Sequence, residues 1–513
     1  MQTRETTPLC GSPRYRPSDL GAPLPDSPHA ASVALPLWDH VVGYEEGRPE
    51  IVQAMKLGYP RFVIHPLVLE LFAECARRFA SRSEGAFAFP SRQSATRCAA
   101  FMREKGCNGV TLHPYGFGNI HAVVFPQHAA DLAKAYWQHF GQIVSSRLAE
   151  AALQQRLVQG GIEAKIVIRC QLAELAGTVP EQVYLFPSGM AAMAHAIHLA
   201  HSCRPDARSI QLGFPYVDVL KCQTVWGPGV HFLPYSTDYS IEALEWHLER
   251  EPIAAVVCEF PGNPLLQGPD LAVLSQSLRA HGVPLIVDDT PATCINIDAL
   301  RHADMVVTSL TKTYSGSGDV MAGSMILNTA SPFFAAFMAA QHRQYEDLLW
   351  SGDAVVLASN AKNFVERTRQ INATTLELVD HLRAHPAVKH AYYPKYEMGG
   401  AYGQILKEGG GYGGLFSILL HRPQETAQVF YDALRISKGP SLGNNFSLAC
   451  PYTLLAHYKE LDWAESHGVS RYLIRVSVGL EQAADLIQRF DSALETLRAE
   501  VAGTLGAPSQ GPA

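Results

Sequence analysis

The sequence predicts an α/β fold with a largely parallel sheet covered by helices, and three observations support this prediction. Short β-branched or aliphatic runs alternate with amphipathic segments through the middle of the chain. Polar or charged residues directly follow several of these runs. The chain has 513 residues, of which 47% are hydrophobic and 17% are charged, so it can bury a large core and is long enough for two or three domains. Such alternation is typical of strands joined by crossover helices.

The strand candidates share a short apolar core between turn residues. They lie at 183–186, 209–212, 254–257, 285–287, 305–307 and 324–327. Residues 270–281 have the periodicity of an amphipathic helix between two of these runs. Ligands of parallel sheets bind at the carboxyl ends of the strands. The first candidates for a site are therefore the polar residues at or just past such ends, Asp288, Ser309 and Lys312.

Composition excludes several classes of protein. The first 35 residues are rich in Pro, Ser and Gly and lack the apolar core of a signal peptide, so we expect a flexible lead-in. No apolar run is long enough to cross a bilayer, which argues against membrane partners. The net charge of −7 comes without a basic patch, which argues against nucleic acid. The ten cysteines form no Cys-x-x-Cys pair, which favours reduced thiols in a cytoplasmic protein over a disulfide framework or a zinc cluster.

An acid after one strand and a lysine after the next are suited to pyridoxal phosphate chemistry. Lys312 would hold the aldehyde of the cofactor as a Schiff base, and Asp288 would pair with the pyridinium nitrogen. The hydroxyls of Ser309 and Thr311 could reach the phosphate. Taken singly, Asp288 could instead begin a polar turn and Lys312 could be an ordinary solvated side chain.

A helix start after residues 183–186 offers a second phosphate contact. Ser188 can cap this helix while Gly189 lets the backbone approach closely, so the N–H groups of Gly189 and Met190 would point at an anion. Ordinary capping explains the same residues. Helical spacing also relates three histidines that lack acidic or cysteine neighbours in sequence, and for these we expect packed or surface side chains rather than a metal site: His195, His198 and His201.

Near the C-terminus, Arg475 stands among apolar neighbours in a predicted strand. A buried arginine is costly unless it is paired, and a bidentate clamp on a substrate carboxylate would supply the partner. An internal salt bridge with an acid of the protein is the alternative.

Together these segments resemble the Cys/Met-metabolism family of fold-type I pyridoxal phosphate enzymes, the cystathionine γ-synthase and γ-lyase group. The resemblance covers roughly residues 145–500. Its motifs, in chain order, are PSGMAA at 187–192, EFPGNPLL at 259–266, VDDT at 287–290, SLTK at 309–312, SLG at 441–443 and LIRVSVGLE at 473–481. Further segments resemble the longer, fungal-type cystathionine γ-synthases and lie at 28–36, 42–47, 58–62 and 213–218.

The resemblance implies a fold-type I PLP transferase-like architecture, with a large domain whose mainly parallel seven-stranded sheet lies between helices and a smaller C-terminal α/β domain. It also implies a homodimer or homotetramer with shared active sites. A glycine-rich run at 409–414 precedes an apolar run at 415–420, which indicates a turn before a strand rather than a phosphate loop. The expected divisions are the lead-in at 1–35, an N-terminal segment packed on the core at 36–150, the PLP-binding domain at 151–370, the small domain at 371–505 and a flexible tail at 506–513.

The resemblance also implies roles for individual residues. Lys312 would be the Schiff-base lysine and proton shuttle, and Asp288 would keep the ring nitrogen protonated. Arg475, with Ser441 nearby, would bind the α-carboxylate of the substrate. Asn263 would contact the ring hydroxyl or position the substrate. The phosphate would be held by residues of two motifs, Ser188, Gly189, Met190, Ser309 and Thr311.

Some implied roles remain open. Either Phe214 or Tyr216 would stack on the cofactor ring, and Tyr216 is also a catalytic candidate. Members of the family reach into the neighbouring subunit with a Tyr-x-Arg pair, for which this chain has Ser145 and Arg147. Arg147 can still bind phosphate, but the usual tyrosine is missing. A second departure is Ser317, where the family often has histidine.

The implied reaction is γ-replacement on an O-acylated homoserine. With cysteine as the nucleophile, O-acetyl- or O-succinyl-L-homoserine would give cystathionine. The same machinery would act as a sulfhydrylase with sulfide, as a γ-lyase with water, or in the biosynthesis of an unusual amino acid with a carbon or amine nucleophile. Pro440, where some γ-lyases place an acid, favours synthesis. From another class, the chain could be a non-catalytic PLP-fold binding protein, although a degenerate relative need not retain Lys312, Asp288 and Arg475.

Overall fold

The computed structural model describes residues 7–234 and 238–504. In this part of the chain the strands form three sheets of three, seven and five strands. The first contains β1 (Glu84–Phe89), β2 (Thr111–Pro114) and β3 (His121–Pro126). The second contains β4 (Val183–Phe186), β5 (Arg208–Leu212), β6 (Val230–Leu233), β7 (Ile253–Glu259), β8 (Leu285–Asp288), β9 (Met305–Thr308) and β10 (Gly323–Leu327). The third contains β11 (Val388–Tyr392), β12 (Leu415–Leu420), β13 (Ser437–Lys438), β14 (Leu448–Pro451) and β15 (Ile474–Ser477).

The seven-stranded sheet is mainly parallel, as predicted. Its order is β4-β10-β9-β8-β7-β5-β6, and β6, β5, β7, β8 and β9 run parallel to one another, while β10 is antiparallel to β9 and β4. Every residue of β7 is buried, which explains its continuous apolar sequence. All the predicted strands form. The sequence analysis missed β6, an edge strand of four residues that are all only partly buried.

Helices cover the sheet and link its strands. They are α7 (Ser146–Leu153), α8 (Gly161–Ala176), α9 (Gly189–Cys203), α10 (Val217–Val225), α11 (Asp238–Leu248), α12 (Leu271–Ala280), α13 (Thr293–Asn296), α14 (Phe334–Gln344) and α15 (Ser351–Asn360). The predicted helix at 270–281 is α12, and Asp270 caps it by accepting from the N–H groups of Ala272 and Val273. The central helix is α9, which is apolar on nearly every side because it packs against β9 and β10.

The C-terminal part forms the predicted smaller α/β domain. Its sheet has the order β11-β12-β15-β14-β13 and packs with long helices over one hydrophobic core. The glycine-rich run at 409–414 leads directly into β12 without a helix, as predicted. The helices of this part are α16 (Phe364–Ala384), α17 (Pro394–Glu397), α18 (Gly399–Ile405), α19 (Pro423–Ala433), α20 (Tyr452–His457), α21 (Leu461–Ser466) and α22 (Ala483–Thr504).

The N-terminal part adds its own layer to the molecule. Its antiparallel sheet, in the order β1-β3-β2, packs with α4 (Pro66–Phe79) and α6 (Ala130–Phe140) in a hydrophobic core that continues into α9. The helices here are α1 (Pro8–Gly11), α2 (Trp38–Glu46), α3 (Pro49–Ala54), α4 (Pro66–Phe79), α5 (Arg92–Glu104) and α6 (Ala130–Phe140). Short 3₁₀ helices occur at Pro17–Asp19, Gln127–Ala129, Pro180–Gln182, Ala299–Arg301, Ala361–Asn363 and Tyr458–Glu460.

The lead-in differs from the expectation of a flexible segment. Leu24, Val33 and Leu35 are at most 3% exposed, and the N–H of Leu35 donates to the carbonyl of Lys438 at 2.9 Å. Apolar side chains hold this segment on the C-terminal domain, although its Pro and Ser content indicates a coil. The tail expected at 506–513 lies outside the described residues.

Two further expectations concern the whole chain. Each of the ten cysteines is described, and none forms a disulfide. Within the described ranges, every helix is too short or too polar to span a lipid bilayer.

Candidate active site

A cavity of about 640 Å³ lies at the carboxyl ends of β7, β8 and β9, between the three parts of the chain. This position follows the rule for open parallel sheets. Most of the residues predicted for the site meet here, together with side chains from the N-terminal part. Its lining includes Glu45, Tyr59, Arg61, Gly189, Met190, Tyr216, Asp218, Glu259, Asn263, Asp288, Thr290, Ser309, Lys312, Lys459 and Arg475.

Lys312 follows β9, and its amine lies inside the cavity. The Nζ atom donates to the hydroxyl of Ser441 at 3.3 Å and lies 4.4 Å from the centre of the Tyr59 ring. Burial lowers the pKa of Lys312, and the cations of Arg475 and Arg61 lower it further, while Tyr59 opposes them. A lysine with a lowered pKa retains more of the neutral amine that can act as a nucleophile or a base.

Asp288 ends β8 and is fixed by a short turn. Its Oδ1 accepts from the backbone N–H of Thr290 at 2.9 Å and from the Thr290 hydroxyl at 2.5 Å. The same hydroxyl accepts from the N–H of Ser309 at 2.8 Å, which joins the ends of β8 and β9. Burial raises the pKa of Asp288. Asp288 has no cationic partner among the described residues. Its carboxylate is therefore available to a cation bound in the cavity.

The start of α9 meets the loop after β9 at very close range. A Cβ on Gly189 would lie 2.6 Å from the Cβ of Ser309, so only glycine allows this approach. Gly189, Met190 and Ser309 line the cavity. Ser188 instead caps α9 by accepting from the N–H of Ala191 at 3.0 Å. Thr311 exchanges hydrogen bonds with the backbone of Ala322, so the structure leaves Ser188 and Thr311 outside the lining.

Arg475, on β15, is 5% exposed and has no acidic partner among the described residues. Its guanidinium donates to Asn263 Oδ1 at 3.2 Å, to the Pro440 carbonyl at 2.8 Å and to the Ser441 carbonyl at 3.1 Å. The internal salt bridge considered as an alternative is therefore absent from this region. Neutral acceptors orient the guanidinium while its charge stays available for an anion.

The two candidate stacking residues lie in different places. Tyr216 lines the cavity, and its backbone N–H donates to the Glu259 carboxyl. Phe214 belongs to an aromatic cluster outside the cavity, with ring centres 5.1 Å from His457 and 5.4 Å from Trp463. Only Tyr216 of this pair could therefore contact a ring bound in the cavity of its own chain.

Glu259 is an acid of the site that the sequence analysis did not single out. Its second oxygen accepts from the N–H of Asn263 at 3.0 Å. Burial, together with the charge of Asp288 on the neighbouring strand, raises the pKa of Glu259 to about 8. The signal was present, because Glu259 begins the EFPGNPLL motif at the end of a strand.

A buried ion pair between the N-terminal part and α10 forms another wall of the cavity. Arg61 is 1% exposed and donates to Asp218 Oδ2 at 2.5 Å and to the Tyr216 hydroxyl at 2.5 Å. Asp218 also accepts from His139 at 3.0 Å, and Arg61 holds the pKa of Asp218 low despite its burial. Both segments match fungal-type patterns in the sequence, but nothing there indicated that they meet.

Arg147 lies on α7, outside the cavity of its own chain. It donates to the carbonyl of Asp319 at 2.6 Å and lies 3.2 Å and 3.5 Å from the carboxylates of Asp319 and Asp353. Ser145 donates to Asp353 as well. A phosphate bound by Arg147 would therefore lie outside the cavity of this chain.

Sequence comparison agrees with this geometry. The family described as Cys/Met metabolism PLP-dependent enzyme matches residues 163–495, which include every strand-end residue discussed above. The chain belongs to this family. A second match, the N-terminal domain of fungal trans-sulfuration enzymes, covers residues 67–145 and thus the three-stranded sheet.

Known members of the PLP-dependent family differ in what they catalyse. Cystathionine gamma-synthase of Neurospora crassa is 34% identical over 93% of this chain and 98% of its own length. The L-2-amino-4-chloropent-4-enoate dechlorinase/desaturase of Streptantibioticus cattleyicolor is 30% identical over 92% and 97%. Among solved structures, the cystathione gamma lyase CalE6 from Micromonospora echinospora matches with a TM-score of 0.56 and 26% identity over 63% of this chain and 84% of that one.

Family membership makes the chain a pyridoxal-phosphate-dependent enzyme that acts on amino acids by γ-replacement or γ-elimination. The cavity fits this cofactor. It offers an amine for the aldehyde, a carboxylate without a cationic partner for the ring nitrogen, and backbone N–H groups at a helix start that a Cβ would obstruct for the phosphate.

The three histidines of α9 lie away from this chemistry. His195 pairs with Gln341 at 2.6 Å, and His198 accepts from Trp226 at 2.9 Å. Burial lowers the pKa of both histidines to about 4. His201 is also buried. These side chains are therefore packed, neutral members of the core.

Proposed function

We propose that the enzyme is a cystathionine γ-synthase, which replaces the acyl group of O-acetyl- or O-succinyl-L-homoserine with the thiol of L-cysteine. The observation that carries this proposal is the position of Arg475 beside Lys312. A buried guanidinium held by neutral acceptors, next to an amine of lowered pKa, is a site for an α-amino acid. The relative from Neurospora crassa, which matches nearly end to end, supports this choice among the γ-chemistries.

In this proposal each side chain has one task. Bound pyridoxal phosphate supplies the electron sink that makes the Cα proton of the substrate acidic. Lys312 removes that proton and carries protons at later stages, which its lowered pKa allows. Asp288 holds the proton on the ring nitrogen. Arg475, with Ser441 and Asn263, orients the substrate through its carboxylate.

The remaining contacts hold the cofactor in place. Gly189, Met190 and Ser309 bind the phosphate through the start of α9 and the loop after β9. Tyr216 would hold the ring of the cofactor, and its hydroxyl is fixed by Arg61. Ser188 and Thr311 position these groups through the hydrogen bonds described above.

The outer part of the cavity supports an amino acid as the nucleophile. Glu45 and the exposed Lys459 both line it. Burial raises the pKa of Glu45 to about 7, and the charge of Lys459 opposes this rise. Glu45 is therefore about half ionised at neutral pH, and this carboxyl group and the cationic Lys459 match the ammonium and carboxylate of cysteine, neither of which sulfide has.

We also propose that the enzyme is a cytoplasmic homodimer or homotetramer. The ten unpaired cysteines support a reducing compartment. Exposed apolar side chains on or beside α8 support an interface at this helix, and they are Leu157, Ile162, Ile166 and Val167. Light scattering of the purified enzyme tests the assembly, and a monomer at micromolar concentration would refute it.

Mass spectrometry of the products tests the reaction. The cofactor-loaded enzyme is mixed with O-acetyl- or O-succinylhomoserine, alone, with cysteine or with sulfide. We expect cystathionine only when cysteine is present, none from Lys312→Ala, and normal turnover from Lys389→Ala, which changes an exposed lysine on β11. Homocysteine from sulfide in preference to cystathionine would indicate a sulfhydrylase, and 2-oxobutyrate would indicate a lyase. Either result would overturn the proposal.

A further inference from the structure

The aromatic ring of Tyr59 lies against the amine of Lys312. The Nζ atom lies 4.4 Å from the ring centre, and both residues line the cavity. Tyr59 comes from the N-terminal part, far from Lys312 in sequence. Its position therefore depends on how that part is anchored to the sheet domain.

A tight, well-anchored turn holds Tyr59 in place. The carbonyl of Tyr59 accepts from the N–H groups of Phe62 and Val63, both at 2.9 Å. A Cβ on Gly58 would lie 2.5 Å from the Cβ of Val63, so the turn closes only with glycine at this position.

Two contacts then fix the turn to the rest of the molecule. Trp137 donates to the Pro60 carbonyl at 3.4 Å, and Arg61 donates to the Gln138 carbonyl at 2.6 Å in addition to its pair with Asp218. These contacts fix the position of Tyr59, as is required of a side chain that acts on a reacting atom.

The charges around Tyr59 favour its anion. Burial opposes ionisation, but the cations of Lys312 and Arg61 outweigh it and lower the pKa of Tyr59. Tyr216, which also faces Arg61, has a pKa well above the usual value because burial dominates there and Asp218 and Tyr59 add to it. Of the two tyrosines, Tyr59 is the one suited to exchange a proton.

We propose that Tyr59 is a catalytic acid/base group that exchanges a proton with the amine of Lys312 within one chain. The Tyr59 phenolate takes a proton from the Lys312 ammonium, which yields a phenol and a free amine, and the amine then accepts the Cα proton of the substrate. The phenol returns its proton when the cycle closes, so no net proton is consumed. The proposal rests on the proposed role of Lys312. It assigns to the N-terminal part the tyrosine that is missing at Ser145.

The test compares Tyr59→Phe with Tyr115→Phe. The first change removes only an oxygen and keeps the ring beside Lys312. The second is a matched control outside the cavity, since Tyr115 is also a tyrosine of the N-terminal part with an arginine, Arg78, 4.5 Å from its ring centre. Burial raises the pKa of Tyr115, in contrast to Tyr59.

Two readouts need no substrate. In a near-ultraviolet titration, the wild-type apoprotein and Tyr115→Phe should show a tyrosine that ionises below the ordinary value of about 10, and Tyr59→Phe should lack it. In the holoenzyme, the pH at which the cofactor absorbance band changes should fall by about one unit in Tyr59→Phe, because the phenolate no longer favours protonation nearby. Unchanged curves in either experiment would overturn the proposal.

Turnover supplies the third readout. We expect kcat of Tyr59→Phe to fall by roughly 100-fold or more, the scale of general acid/base catalysis, with cofactor affinity within about threefold of wild type. Normal kcat would mean that the ring only packs against Lys312 and would refute the proposal. If the wild-type enzyme makes no cystathionine, the γ-synthase assignment fails, yet the two substrate-free titrations still decide the role of Tyr59.

Discussion

Replacing Arg475 with lysine should weaken substrate binding and spare cofactor binding. The guanidinium now makes three oriented hydrogen bonds and keeps its remaining donors for a carboxylate. Lysine preserves the charge but loses the planar fork. The loss of one charged hydrogen bond to the carboxylate costs about 1.5–3 kcal/mol, which corresponds to a KM raised roughly 10- to 150-fold.

The assay is steady-state kinetics with O-acylhomoserine and with its α-amide, which lacks the carboxylate. Arg471→Lys serves as the control, since Arg471 pairs with Asp462 and Glu465 at the surface. We expect Arg475→Lys to raise KM for the acid and to leave the value for the amide nearly unchanged. Equal weakening of both substrates would refute the carboxylate role and would indicate general disorder of the loop around Ser441.

Two further changes test the phosphate cradle and a buried charge. Gly189→Ala should weaken cofactor binding roughly 5- to 150-fold, because a Cβ 2.6 Å from Ser309 imposes an overpacking cost of about 1–3 kcal/mol. Titration of the apoprotein with pyridoxal phosphate measures this affinity. The control Gly403→Ala, whose new Cβ would meet open space, should bind the cofactor normally. Burial lowers the pKa of Lys438 to about 7, so the folded state holds fewer protons than the unfolded state above that pH and stability should rise towards pH 10. This rise in the free energy of unfolding is worth at most about 5 kcal/mol, and Lys438→Met should lack it. Thermal unfolding of both proteins at pH 7 and 9.5 measures the change. The same pH dependence in the variant and the wild type would contradict the prediction.

The strand-end part of the site could be predicted from the sequence. Asp288, Ser309 and Lys312 follow apolar runs whose length and composition mark them as strands, and parallel strands bring their carboxyl ends to one edge. Arg475 was predictable for another reason, since a charge within a buried strand needs a partner. In each case the signal lies within a few residues of the functional group.

The remaining site residues depend on contacts between distant segments. Tyr59 and Arg61 sit in an irregular turn, which is held at the cavity by the buried pair of Arg61 with Asp218 and by hydrogen bonds to Trp137 and Gln138. The choice between Phe214 and Tyr216 was also beyond the sequence. It depends on an aromatic cluster with Trp463, from a different domain, which draws Phe214 away.

The lead-in at 1–35 illustrates the same point for the fold. Its Pro and Ser content indicates a coil, and the structure does keep most of it irregular. Irregular backbone is still compatible with tight packing when apolar side chains find a partner. Leu24 and Leu35 find theirs on the C-terminal domain, to which a hydrogen bond from Leu35 to Lys438 also joins the segment.

The charged groups of the cavity connect the proposed binding of the cofactor, the role of Arg475 and the role of Tyr59. Arg61 and Asp218 neutralise each other, and Glu259, with a pKa of about 8, is mostly protonated near neutral pH. With Tyr59 as a neutral phenol, Lys312 and Arg475 would face Asp288 with an excess of positive charge, which favours an anionic cofactor, an anionic substrate and the anion of Tyr59.

The same positive charge acts on Tyr59, because the cation of Lys312 is one of the two that lower the pKa of Tyr59. Bound phosphate and carboxylate groups should offset part of this positive charge, so the pKa of Tyr59 should rise when the site fills. A higher pKa makes the Tyr59 phenolate a stronger base towards the Lys312 ammonium. On this argument, substrate binding favours the first half of the proton exchange, in which Tyr59 takes the proton of Lys312.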